Sequence, residues 1–506
     1  MTTVGIAHSI VLAGLNGTRI SVEAQTSAGL PSVTIIGLPD AALRQARERA
    51  WAAMQSSGLK APDTKCVINL SPASLPKHGA SFDVAIAVAV LRSTGVIPEG
   101  PDTTMLFGEL SLDGRLRPGH GILPAVLGAR RAGAKRVVVP AANLAEASLI
   151  DGVSVVGARS LRDVAIELGA EAEFVDCEAL VLAVPAQQAE GAGDLSEVRG
   201  NLHAVEALQV AAAGGHHMML LGPPGAGKTM LAQRLAGILP RLDEEAAIEV
   251  ASLRSLSGLI QSGSLPRDPP FEAPHHTATS AALVGGGSGI IRPGSAVRAS
   301  HGVLFLDESP EFRASVLDTL RQPLESGRIS IARASGTAEY PASFQLVLAA
   351  NPCPCGLDGS GDCVCSSIMK RRYLGRLSGP LLDRIDLHLR LDRVGATEAS
   401  LSTPITSAQA RARVSEARAR SAHRLAGTPW KKNGEVPGPW LRKHGRAPES
   451  NAIALLDQAL ERGLITMRGY DRVARVAWSC ADLDEVPVPD AHHFGRALLY
   501  RKGISS

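Results

Sequence analysis

The residues with the clearest chemistry lie in one glycine-rich segment that follows an apolar run and precedes a helical pattern. The segment reads GPPGAGKT and has the G-x-x-x-x-G-K-T spacing of a P-loop. Such a turn directs backbone N–H groups at phosphate oxygens where a helix begins. We expect Lys228 to reach the β- and γ-phosphates of a nucleoside triphosphate and the Thr229 hydroxyl to bind Mg²⁺. The predicted phosphate-binding residues are Gly222, Pro223, Pro224, Gly225, Ala226, Gly227, Lys228, Thr229 and Met230.

Two other apolar runs end in polar side chains that suit the same chemistry. Asp307 and Glu308 follow the run GVLFL, and Asn351 follows the run LVLAA. A Mg²⁺–phosphate site needs a carboxylate near the metal, and hydrolysis needs a group that orients the attacking water. We expect Asp307 to join Thr229 at Mg²⁺ and Glu308 to act as the base. Asn351 either positions the water or is a turn residue before Pro352.

Four of the seven cysteines lie in one short segment, as the pairs Cys353-Pro-Cys355 and Cys363-Val-Cys365. Clustered cysteines in a cytoplasmic chain favour a metal over disulfides. Four thiolates supply the tetrahedral ligand set of structural Zn²⁺, although C-x-C is tighter than the usual C-x₂-C spacing. We predict a structural zinc site here, with a reduced, metal-free loop as the alternative.

Length and composition limit the class of protein. A chain of 506 residues has room for about two to four domains, and 45% hydrophobic with 20% charged residues is ordinary for a globular protein. Aromatic residues make up 3% of the chain, so base-stacking platforms are scarce, and a net charge of +3 neither requires nor excludes nucleic acid. No apolar run has the length of a membrane span, and the first residues lack the features of a signal peptide. We therefore expect a cytoplasmic protein that does not bind membranes.

Alternating β-rich and alanine-rich runs divide the chain into four parts. Residues 1–170 form a predicted mixed α/β domain, and residues 171–196 form a predicted linker rich in alanine, glycine and glutamine. In residues 197–392 strands alternate with helices, which predicts a parallel sheet flanked by helices, with a cysteine-rich insert at 353–365. Residues 393–506 are predicted to be helical. The predicted strands are 18–24, 32–36, 65–69, 136–139, 153–156, 218–221, 302–306 and 345–350, and the predicted helices of the first part are 41–57, 82–94 and 124–132.

Together, the nucleotide motifs resemble a known family. The P-loop, the strand ending in Asp307 and Glu308, and Asn351 resemble the Walker A, Walker B and sensor-1 elements of AAA+ ATPases. Longer segments resemble the magnesium-chelatase-like AAA+ group, and within it the ComM/YifB family, over nearly the whole chain: APHHTATSAALVGGG, HGVLFLDESPEF, LRQPLESGRISIAR, NPCPCG and RLSGPLLDRIDL. The resemblance implies a hexameric ring that binds ATP and Mg²⁺ between neighbouring subunits, with the C-terminal helices as a lid.

The same resemblance assigns roles to individual arginines. Arg384 would project into the neighbouring subunit's site as an arginine finger, where a guanidinium neutralises charge on the γ-phosphate. Arg468 resembles the sensor-2 arginine of the lid, and Arg472 is the other candidate for that role. Arg376 would face the subunit interface. For each of them, a surface salt bridge is the alternative.

Two insertions of this family point towards the centre of the ring. The first lies in residues 275–288, and the second is a hairpin with predicted strands 328–332 and 340–344 and with Arg333 near its tip. A basic side chain there can follow a phosphate backbone without reading sequence, or it can simply keep an exposed hairpin in solution. His275 and His276 are expected to point to opposite sides of an extended segment, which favours a loop role over metal binding.

The N-terminal part resembles the peptidase domain of Lon-type proteases. The resemblance rests on PKHGASFD and on FGELSLDGRLRPGHGILPAVLGARRAGAKRVVVP. It places Ser81 at that family's nucleophile but Leu123 at its catalytic lysine, and leucine cannot accept a proton. Lys77 and Lys135 are the stray amines nearby. The resemblance therefore implies an inactive Lon-like domain that serves as a scaffold or contacts DNA.

Two basic helices can either meet phosphates or lie elsewhere on the protein. Arg44, Arg47 and Arg49 fall on the predicted helix 41–57, for which a solvated face is the more ordinary explanation. A second helix, 410–424, carries arginines at i,i+4 and i,i+7 spacing. A DNA-binding helix and a lid helix are both open for this segment, and the lid is slightly favoured.

These resemblances imply an ATPase motor that encircles branched or single-stranded DNA. It would act as a helicase or branch-migration factor in recombination or in DNA uptake during competence. A chelatase-type motor that remodels a protein partner is the second interpretation. An ATP-dependent protease is the third, and Leu123 argues against it.

Overall fold

Strands and helices alternate through most of the chain in the structure, which is a computed structural model. The described residues are 4–36, 40–72, 81–180, 193–259, 263–286, 292–333, 336–357, 363–395, 404–444 and 450–502. The strands are β1 (Val4–Ala13), β2 (Asn16–Ser27), β3 (Ser32–Ile36), β4 (Lys65–Ser71), β5 (Thr104–Leu106), β6 (Glu109–Leu110), β7 (Leu116–Arg117), β8 (Arg136–Pro140), β9 (Ser154–Ala158), β10 (Met218–Leu221), β11 (Phe271–Glu272), β12 (Gly285–Gly286), β13 (Arg292–Pro293), β14 (Val303–Leu306), β15 (Arg328–Arg333), β16 (Gly336–Pro341), β17 (Gln345–Ala350) and β18 (Leu387–Arg390).

The helices of the first part of the chain lie close to their predicted positions, and further helices occupy the last part. They are α1 (Asp40–Ser56), α2 (Asp83–Ser93), α3 (Ile122–Arg131), α4 (Leu144–Ala147), α5 (Leu161–Glu167), α6 (Leu202–Gly214), α7 (Lys228–Ile238), α8 (Glu244–Leu256), α9 (Ser280–Val284), α10 (Ser295–Arg298), α11 (Ala314–Asp318), α12 (Pro323–Ser326), α13 (Ser367–Leu374), α14 (Gly379–Leu382), α15 (Ser407–Arg424), α16 (Gly438–His444), α17 (Ser450–Glu461), α18 (Met467–Leu483) and α19 (Ala491–Lys502). Among the described residues, no helix is long and apolar enough to cross a membrane.

A mixed sheet carries the core of the N-terminal part. β1 pairs antiparallel with β2, β2 pairs antiparallel with β4, and β4 pairs parallel with β3. The apolar helix α2 packs across β1 and β2 and is buried along its whole length, as expected for a helix without a polar face. β1 is missing from the predicted strands, because most of its buried residues are consecutive and do not alternate with exposed ones.

The nucleotide motifs lie on a second sheet. Within the described residues it contains five parallel strands in the order β11-β14-β17-β10-β18. β10, β14 and β17 are buried at every position, which is typical of a parallel sheet covered by helices on both faces. β10 and β17 have the predicted bounds, and β14 begins at Val303, not at the predicted Gly302. The predicted parallel sheet flanked by helices is therefore confirmed.

The C-terminal helices pack onto this sheet domain and not away from it. α15 packs on α6 and α7, and α19 packs on β18. Two arginines of α15 lie inside the interface, where Arg411 donates to the carbonyl of Gly237 in α7 and Arg418 donates to the carbonyl of Ala212 in α6. Cations are favourable near the carbonyl ends of helices. These two arginines of the segment 410–424 therefore hold the helical region to the core and are not presented as a DNA-binding face.

A short joint connects the N-terminal part to the sheet domain. α3 packs on α8, and the backbone N–H of Leu123 in α3 donates to the hydroxyl oxygen of Ser255 in α8 at 3.4 Å. The backbone N–H of Gly121 donates to the carbonyl of Ser255 at 3.1 Å. The residue at the predicted position of a catalytic lysine thus lies at a contact between two parts of the chain.

Candidate active site

The predicted nucleotide residues meet at one edge of the parallel sheet. The P-loop follows β10, Asp307 and Glu308 follow β14, and Asn351 follows β17. β10 and β14 both pair with β17, so the carboxyl ends of the three strands are adjacent. Segments that are far apart in the sequence therefore converge where they were expected to act together.

The P-loop has the backbone geometry that its glycines predict. Gly225 and Gly227 have φ angles of 81° and 84°, in the left-handed region that side chains disfavour. Gly222 is required for a different reason, since a Cβ atom there would lie 2.6 Å from the carbonyl oxygen of Leu391. α7 begins directly after Gly227, so the loop ends at a helix N-terminus, where backbone N–H groups favour an anion.

Lys228 is held at the centre of this edge. Its ammonium group donates to the carbonyls of Gly222 and Pro223 at 2.6 and 3.0 Å and to Oδ1 of Asn351 at 3.0 Å. Burial lowers the pKa of Lys228, and the carboxylates of Asp307 and Glu308 oppose that shift. The lysine is thus a nearly buried cation whose oxygen partners a phosphate group can replace.

Thr229 and Asp307 form a pair of oxygen ligands beside the lysine. The hydroxyl of Thr229 donates to Oδ2 of Asp307 at 2.9 Å, and the other carboxylate oxygen accepts from the backbone N–H of Glu308 at 2.9 Å. A hydroxyl next to a carboxylate suits Mg²⁺, which prefers oxygen ligands and keeps several waters. A cavity of about 270 Å³ opens beside these side chains, with Phe271 and Phe305 on its apolar side.

Glu308 contacts a histidine that the sequence analysis assigned only a loop role. Nδ1 of His276 lies 3.2 Å from Oε2 of Glu308. The expectation that His275 and His276 point to opposite sides is wrong, because their ring centroids are 4.1 Å apart. The segment is not extended there but turns, with the backbone N–H of Ala278 donating to the carbonyl of His275 at 2.9 Å. The turn places both rings on the same side.

The cysteine-rich segment begins directly after Asn351 and returns to the P-loop. Sγ of Cys353 lies 3.3 Å from that of Cys355 and 3.9 Å from that of Cys363, and all four sulfurs of the cluster, Cys365 included, lie within 4.8 Å of one another. Tetrahedral Zn²⁺ with bonds of about 2.3 Å separates its sulfur ligands by about 3.8 Å. The four thiols therefore fit a structural zinc ion, in agreement with the predicted ligand set.

The cysteine segment also touches the phosphate-binding loop. Gly356 has a φ angle of 73°, and a Cβ atom there would lie 2.8 Å from Cγ of Pro224. Side chains larger than hydrogen are therefore excluded at this position. The segment bridges Asn351, which accepts from Lys228, and Pro224, which precedes the two left-handed glycines. Two elements of the predicted site are thus joined by the cysteine-rich segment.

The arginines predicted at the subunit interface or in the lid differ in their contacts. Arg384 donates to the carboxylate of Glu325 and to the carbonyl of Pro380 in its own chain. Arg468 is 78% exposed and lies 3.1 Å from Asp383. Other partners engage the remaining two candidates: Arg472 pairs with the buried Asp386 and Arg376 pairs with Glu311.

The two predicted insertions lie against each other. β15 pairs antiparallel with β16, and Arg333 is opposite Gly336 at the last pair before the tip. The predicted second strand, 340–344, begins too late, since β16 already begins at Gly336. In the other insertion, a Cβ atom on Gly285 would lie 2.9 Å from Cδ1 of Ile331 in β15. Residues 287–291 and 334–335, at the two tips, lie outside the described residues.

The Lon-like centre has no comparable set of charged groups in the described residues. Leu123 is fully buried in an apolar cluster, and Lys135 is exposed. Ser81 is half-buried, and Lys77 lies outside the described residues. Arg49 was expected on a solvated helix face or at a phosphate, but it donates to the buried Asp83 at 2.6 Å. Arg47 is exposed, and the side chain of Arg44 lies outside the described part of the chain.

A buried polar network between the sheet and the C-terminal helices was not predicted. The ring nitrogens of His216 lie 3.2 Å from Asp386 and 2.7 Å from Ser479 in α18. Burial raises the pKa of Asp386, but the cation of Arg472 and the contact with His216 outweigh it and hold that pKa well below its usual range. The sequence gives no local signal for this network, because His216 is 170 residues from Asp386 and 263 residues from Ser479.

Models of known protein families match most of the chain. The model described as magnesium chelatase, subunit ChlI, matches residues 194–399, and the one described as subunit ChlI of Mg-chelatase matches residues 22–143. The model described as magnesium chelatase, subunit ChlI C-terminal, matches residues 404–501. The three matches include the sheet edge, the Lon-like part and the C-terminal helices.

Individual relatives are similar over almost their full length. An uncharacterised protein of Mycobacterium tuberculosis is 48% identical over 501 residues, which is 98% of this chain and 98% of the relative. The protein YifB of Escherichia coli is 38% identical and the competence protein ComM of Haemophilus influenzae is 37% identical, each over 99% of this chain and 97% of the relative. A shorter stretch, 33% of this chain, is 26% identical to Lon protease 2 of Bacillus subtilis.

Proposed function

Because this chain belongs to the ComM/YifB family of magnesium-chelatase-like AAA+ proteins, we propose that it is an ATP-hydrolysing ring motor that acts on DNA. The observation that carries the ATPase part is the hydrogen-bonded convergence of Lys228, Thr229, Asp307 and Asn351, with Glu308 adjacent, at one sheet edge. The relative named as a competence protein supports DNA as the track, since competence is the uptake of DNA.

The sheet edge supplies a distinct role for each of its polar groups. Backbone N–H groups of the P-loop and the ammonium of Lys228 hold the β- and γ-phosphates, with Lys228 exchanging its bond to Asn351 for phosphate oxygens. Thr229 and Asp307 are the protein ligands for Mg²⁺, which neutralises phosphate charge when bound. Glu308 orients the attacking water and accepts its proton. Asn351 orients the γ-phosphate from the adjacent strand.

In a ring, Arg384 and Arg468 would each contact a bound nucleotide. Arg384 completes the site of the neighbouring subunit, and for this its guanidinium leaves Glu325 of its own chain. Arg468 is the better sensor-2 candidate, because its exposed guanidinium is available to a nucleotide. Arg472 is a weaker candidate, since breaking its pair with the buried Asp386 would leave an uncompensated charge. A hexamer is the expected stoichiometry of the family.

The pore insertions supply the contact to DNA in this proposal. The hairpin β15–β16 has one buried and one exposed face, with Arg328 exposed on its first strand and Arg333 at its last strand pair. Cations on an exposed hairpin bind the phosphate backbone without regard to sequence, as a motor that moves along DNA requires. Affinity for DNA should accordingly fall steeply with salt.

The test is ATP-dependent displacement of a strand from a four-way DNA junction, with Glu308→Gln as the matched inactive control. Displacement by the wild type alone supports a DNA motor in recombination or uptake. If added DNA does not change the ATPase activity and no strand is displaced, the proposal that the motor acts on DNA is overturned. That second result would favour the chelatase-type alternative, in which the motor remodels a protein partner. The match to magnesium-chelatase family models is the reason for considering it.

The four clustered thiols form the second part of the proposal. We assign them to one structural Zn²⁺ per chain, held by Cys353, Cys355, Cys363 and Cys365. The cation would fix the loop that joins Asn351 to Pro224. Metal analysis of the purified protein should find one zinc per chain, and Cys363→Ser should lose it. Cys177→Ser is the control, because Cys177 is a free cysteine outside the cluster.

A further inference from the structure

The turn between β1 and β2 of the N-terminal part lies against the hairpin β15–β16, which we call the pore hairpin. Ala13 pairs with Asn16, so the loop between the two strands consists of Gly14 and Leu15 alone. Gly14 has a φ angle of 65°, and a Cβ atom there would lie 2.3 Å from the carbonyl oxygen of Glu339 in β16. The backbone of the turn therefore lies directly on the backbone of the pore hairpin, and only glycine fits between them.

An apolar side chain at the tip of this turn adds to the contact. Tight turns are dominated by glycine and by small polar residues. Leu15 is instead half-buried, and together with Leu12 of β1 it packs against the apolar cluster that contains the inner face of the pore hairpin. That inner face consists of Ile329, Ile331, Ala338 and Tyr340. The N-terminal part thus contributes side chains to the cluster that holds the hairpin.

The pore hairpin depends on such packing for its position. Within the described residues, its two strands form a sheet of their own and pair with no strand of the parallel sheet. A two-stranded hairpin is marginally stable by itself and needs an apolar face packed on another element. A cavity of about 530 Å³ lies beside the hairpin base, between α3, α8 and the β1–β2 turn. This space gives the hairpin room to shift, so the contact with the turn restricts that movement.

The turn is itself anchored at the joint between the two parts of the chain. A Cβ atom on Gly121, directly before α3, would lie 2.9 Å from Cδ1 of Leu12 and 2.8 Å from Cδ2 of Leu256 in α8. α3 packs on β1 and β2 as well as on α8. A continuous contact therefore runs from α8 through α3 and the β1–β2 turn to the pore hairpin.

We propose that the Lon-like N-terminal part supports the pore hairpin, with the β1–β2 turn holding the hairpin base while the motor moves DNA. Without this support, part of each ATP-driven step would displace the hairpin and not the DNA. Such a mechanical function needs no catalytic group, in keeping with the buried Leu123. The consequence for DNA rests on the proposed function, whereas the support of the hairpin does not.

The first test measures hydrogen exchange in the full chain without nucleotide or DNA. Gly14→Ala forces the turn away from Glu339, so exchange at the β15 and β16 amides should rise by about tenfold. Gly95→Ala is the matched control and should leave hairpin exchange unchanged. Gly95 also lies in the N-terminal part and has a φ angle of 74°, but nothing lies within 4 Å of its Cβ position. The α2 amides should stay protected, which shows that the N-terminal part remains folded.

A second variant tests the same contact without backbone strain. Leu15→Ala removes the apolar side chain of the turn and should also raise exchange at the β15 and β16 amides. Leu30→Ala is its control, because Leu30 is 88% exposed and lies elsewhere in the N-terminal part. Unchanged hairpin exchange in both Gly14→Ala and Leu15→Ala overturns the proposal.

The last test measures how well hydrolysis is coupled to work on DNA. Leu15→Ala should displace about threefold to tenfold fewer strands per ATP hydrolysed than the wild type, with unchanged ATPase activity in the absence of DNA. Leu30→Ala should match the wild type. Wild-type coupling in Leu15→Ala, with its hairpin exchange raised, overturns the mechanical role. If the wild type displaces no DNA at all, the proposed function fails, and hairpin exchange alone still decides whether the turn supports the hairpin.

Discussion

The sheet edge and the Lon-like centre both resemble catalytic families in sequence, but they differ in what their side chains do. At the sheet edge Lys228, Thr229 and Asp307 are polar groups hydrogen-bonded to one another or to the neighbouring strand ends. At the Lon-like centre Leu123 is buried among apolar side chains, and its backbone donates to Ser255 of the sheet domain. One region presents reactive polar groups, and the other holds an apolar contact that joins two parts of the chain.

The comparison shows why a fold resemblance carries function only through particular positions. Both regions resemble enzyme families, yet in each region the chemistry that is available depends on a single side chain. A lysine with oxygen partners can exchange them for phosphate, whereas a leucine in the equivalent role of a base has no lone pair to offer. Substitutions of these groups or of their neighbours should therefore affect the two regions differently.

The largest expected effect is on Arg384, which we propose that the neighbouring subunit supplies to the sheet edge. Arg384→Ala should lower kcat for ATP by about 1,000-fold or more, because an arginine supplied from the neighbouring subunit neutralises transition-state charge. ATP affinity should change little. Steady-state ATPase assays and equilibrium binding of a fluorescent ATP analogue measure the two quantities.

Mixing variants separates a shared site from local damage. Arg384→Ala subunits retain an intact P-loop, and Lys228→Ala subunits retain an intact arginine. Mixed rings should therefore regain a fraction of the activity that neither variant has alone. The absence of any recovery across mixing ratios would contradict a site built from two chains.

Glu308→Gln removes the proposed base and preserves the shape of the side chain. Hydrolysis should fall by about 100-fold or more, since general-base catalysis contributes at least this much, while ATP remains bound in an assembled ring. Size-exclusion chromatography with ATP should retain the oligomer, and quenched-flow assays should show slow turnover. Rapid turnover by this variant would falsify the role of Glu308.

Restoring the missing lysine should not restore a protease. Leu123→Lys buries an ammonium group in an apolar cluster without a partner, and the free energy of unfolding of the N-terminal part should fall by about 3 kcal/mol. Casein should remain uncleaved. Leu123→Met keeps volume and apolarity and is the matched control, with a loss of about 1 kcal/mol. Hydrogen exchange of the α3 amides reports the difference, and ATP-dependent casein cleavage by Leu123→Lys would overturn the view of this region as a joint.

Local patterns in the sequence identified the sheet edge better than they identified its surroundings. Parallel strands require that the polar residues after β10, β14 and β17 meet, so Lys228, Asp307 and Asn351 could be placed together from the sequence. The contact of His276 with Glu308 could not, because it depends on a turn where an extended segment was expected. The four cysteines were found together because their spacing alone restricts them to one loop.

Long-range pairing accounts for most of what the sequence did not predict. His216 and Ser479 belong to segments 263 residues apart, and nothing near either one indicates a partner. Arg49 was expected at a helix surface, yet it compensates Asp83, whose burial is decided by the packing of α2. The basic segment 410–424 has the same explanation, since its arginines bind helix carbonyls that only the tertiary structure brings near.

The smallest expected effect is a difference in how the two regions respond to acid. Burial and the nearby Arg501 cation lower the pKa of His388, in β18 beside the P-loop strand, to about 4. The unfolded chain therefore binds the proton first as pH falls below about 6.5, so that His388 alone lowers the stability of the sheet domain by about 2 kcal/mol between pH 7 and pH 5. In the N-terminal part the sign is opposite, because burial outweighs the Arg49 contact and raises the pKa of Asp83 to about 6.

Hydrogen exchange, corrected for its intrinsic pH dependence, can follow both regions in one sample. Protection of the β18 amides should decrease between pH 7 and pH 5, and His388→Gln should remove about half of that decrease, because burial also lowers the pKa of His217 to about 4 and His217 remains. The exposed His423→Gln should leave the decrease unchanged. Protection of α2 should increase over the window from pH 6 to pH 4, because the folded state there binds the proton of Asp83 more tightly than the unfolded chain does. Equal loss of protection in β18 and α2 would show that buried ionisable groups do not distinguish the two regions.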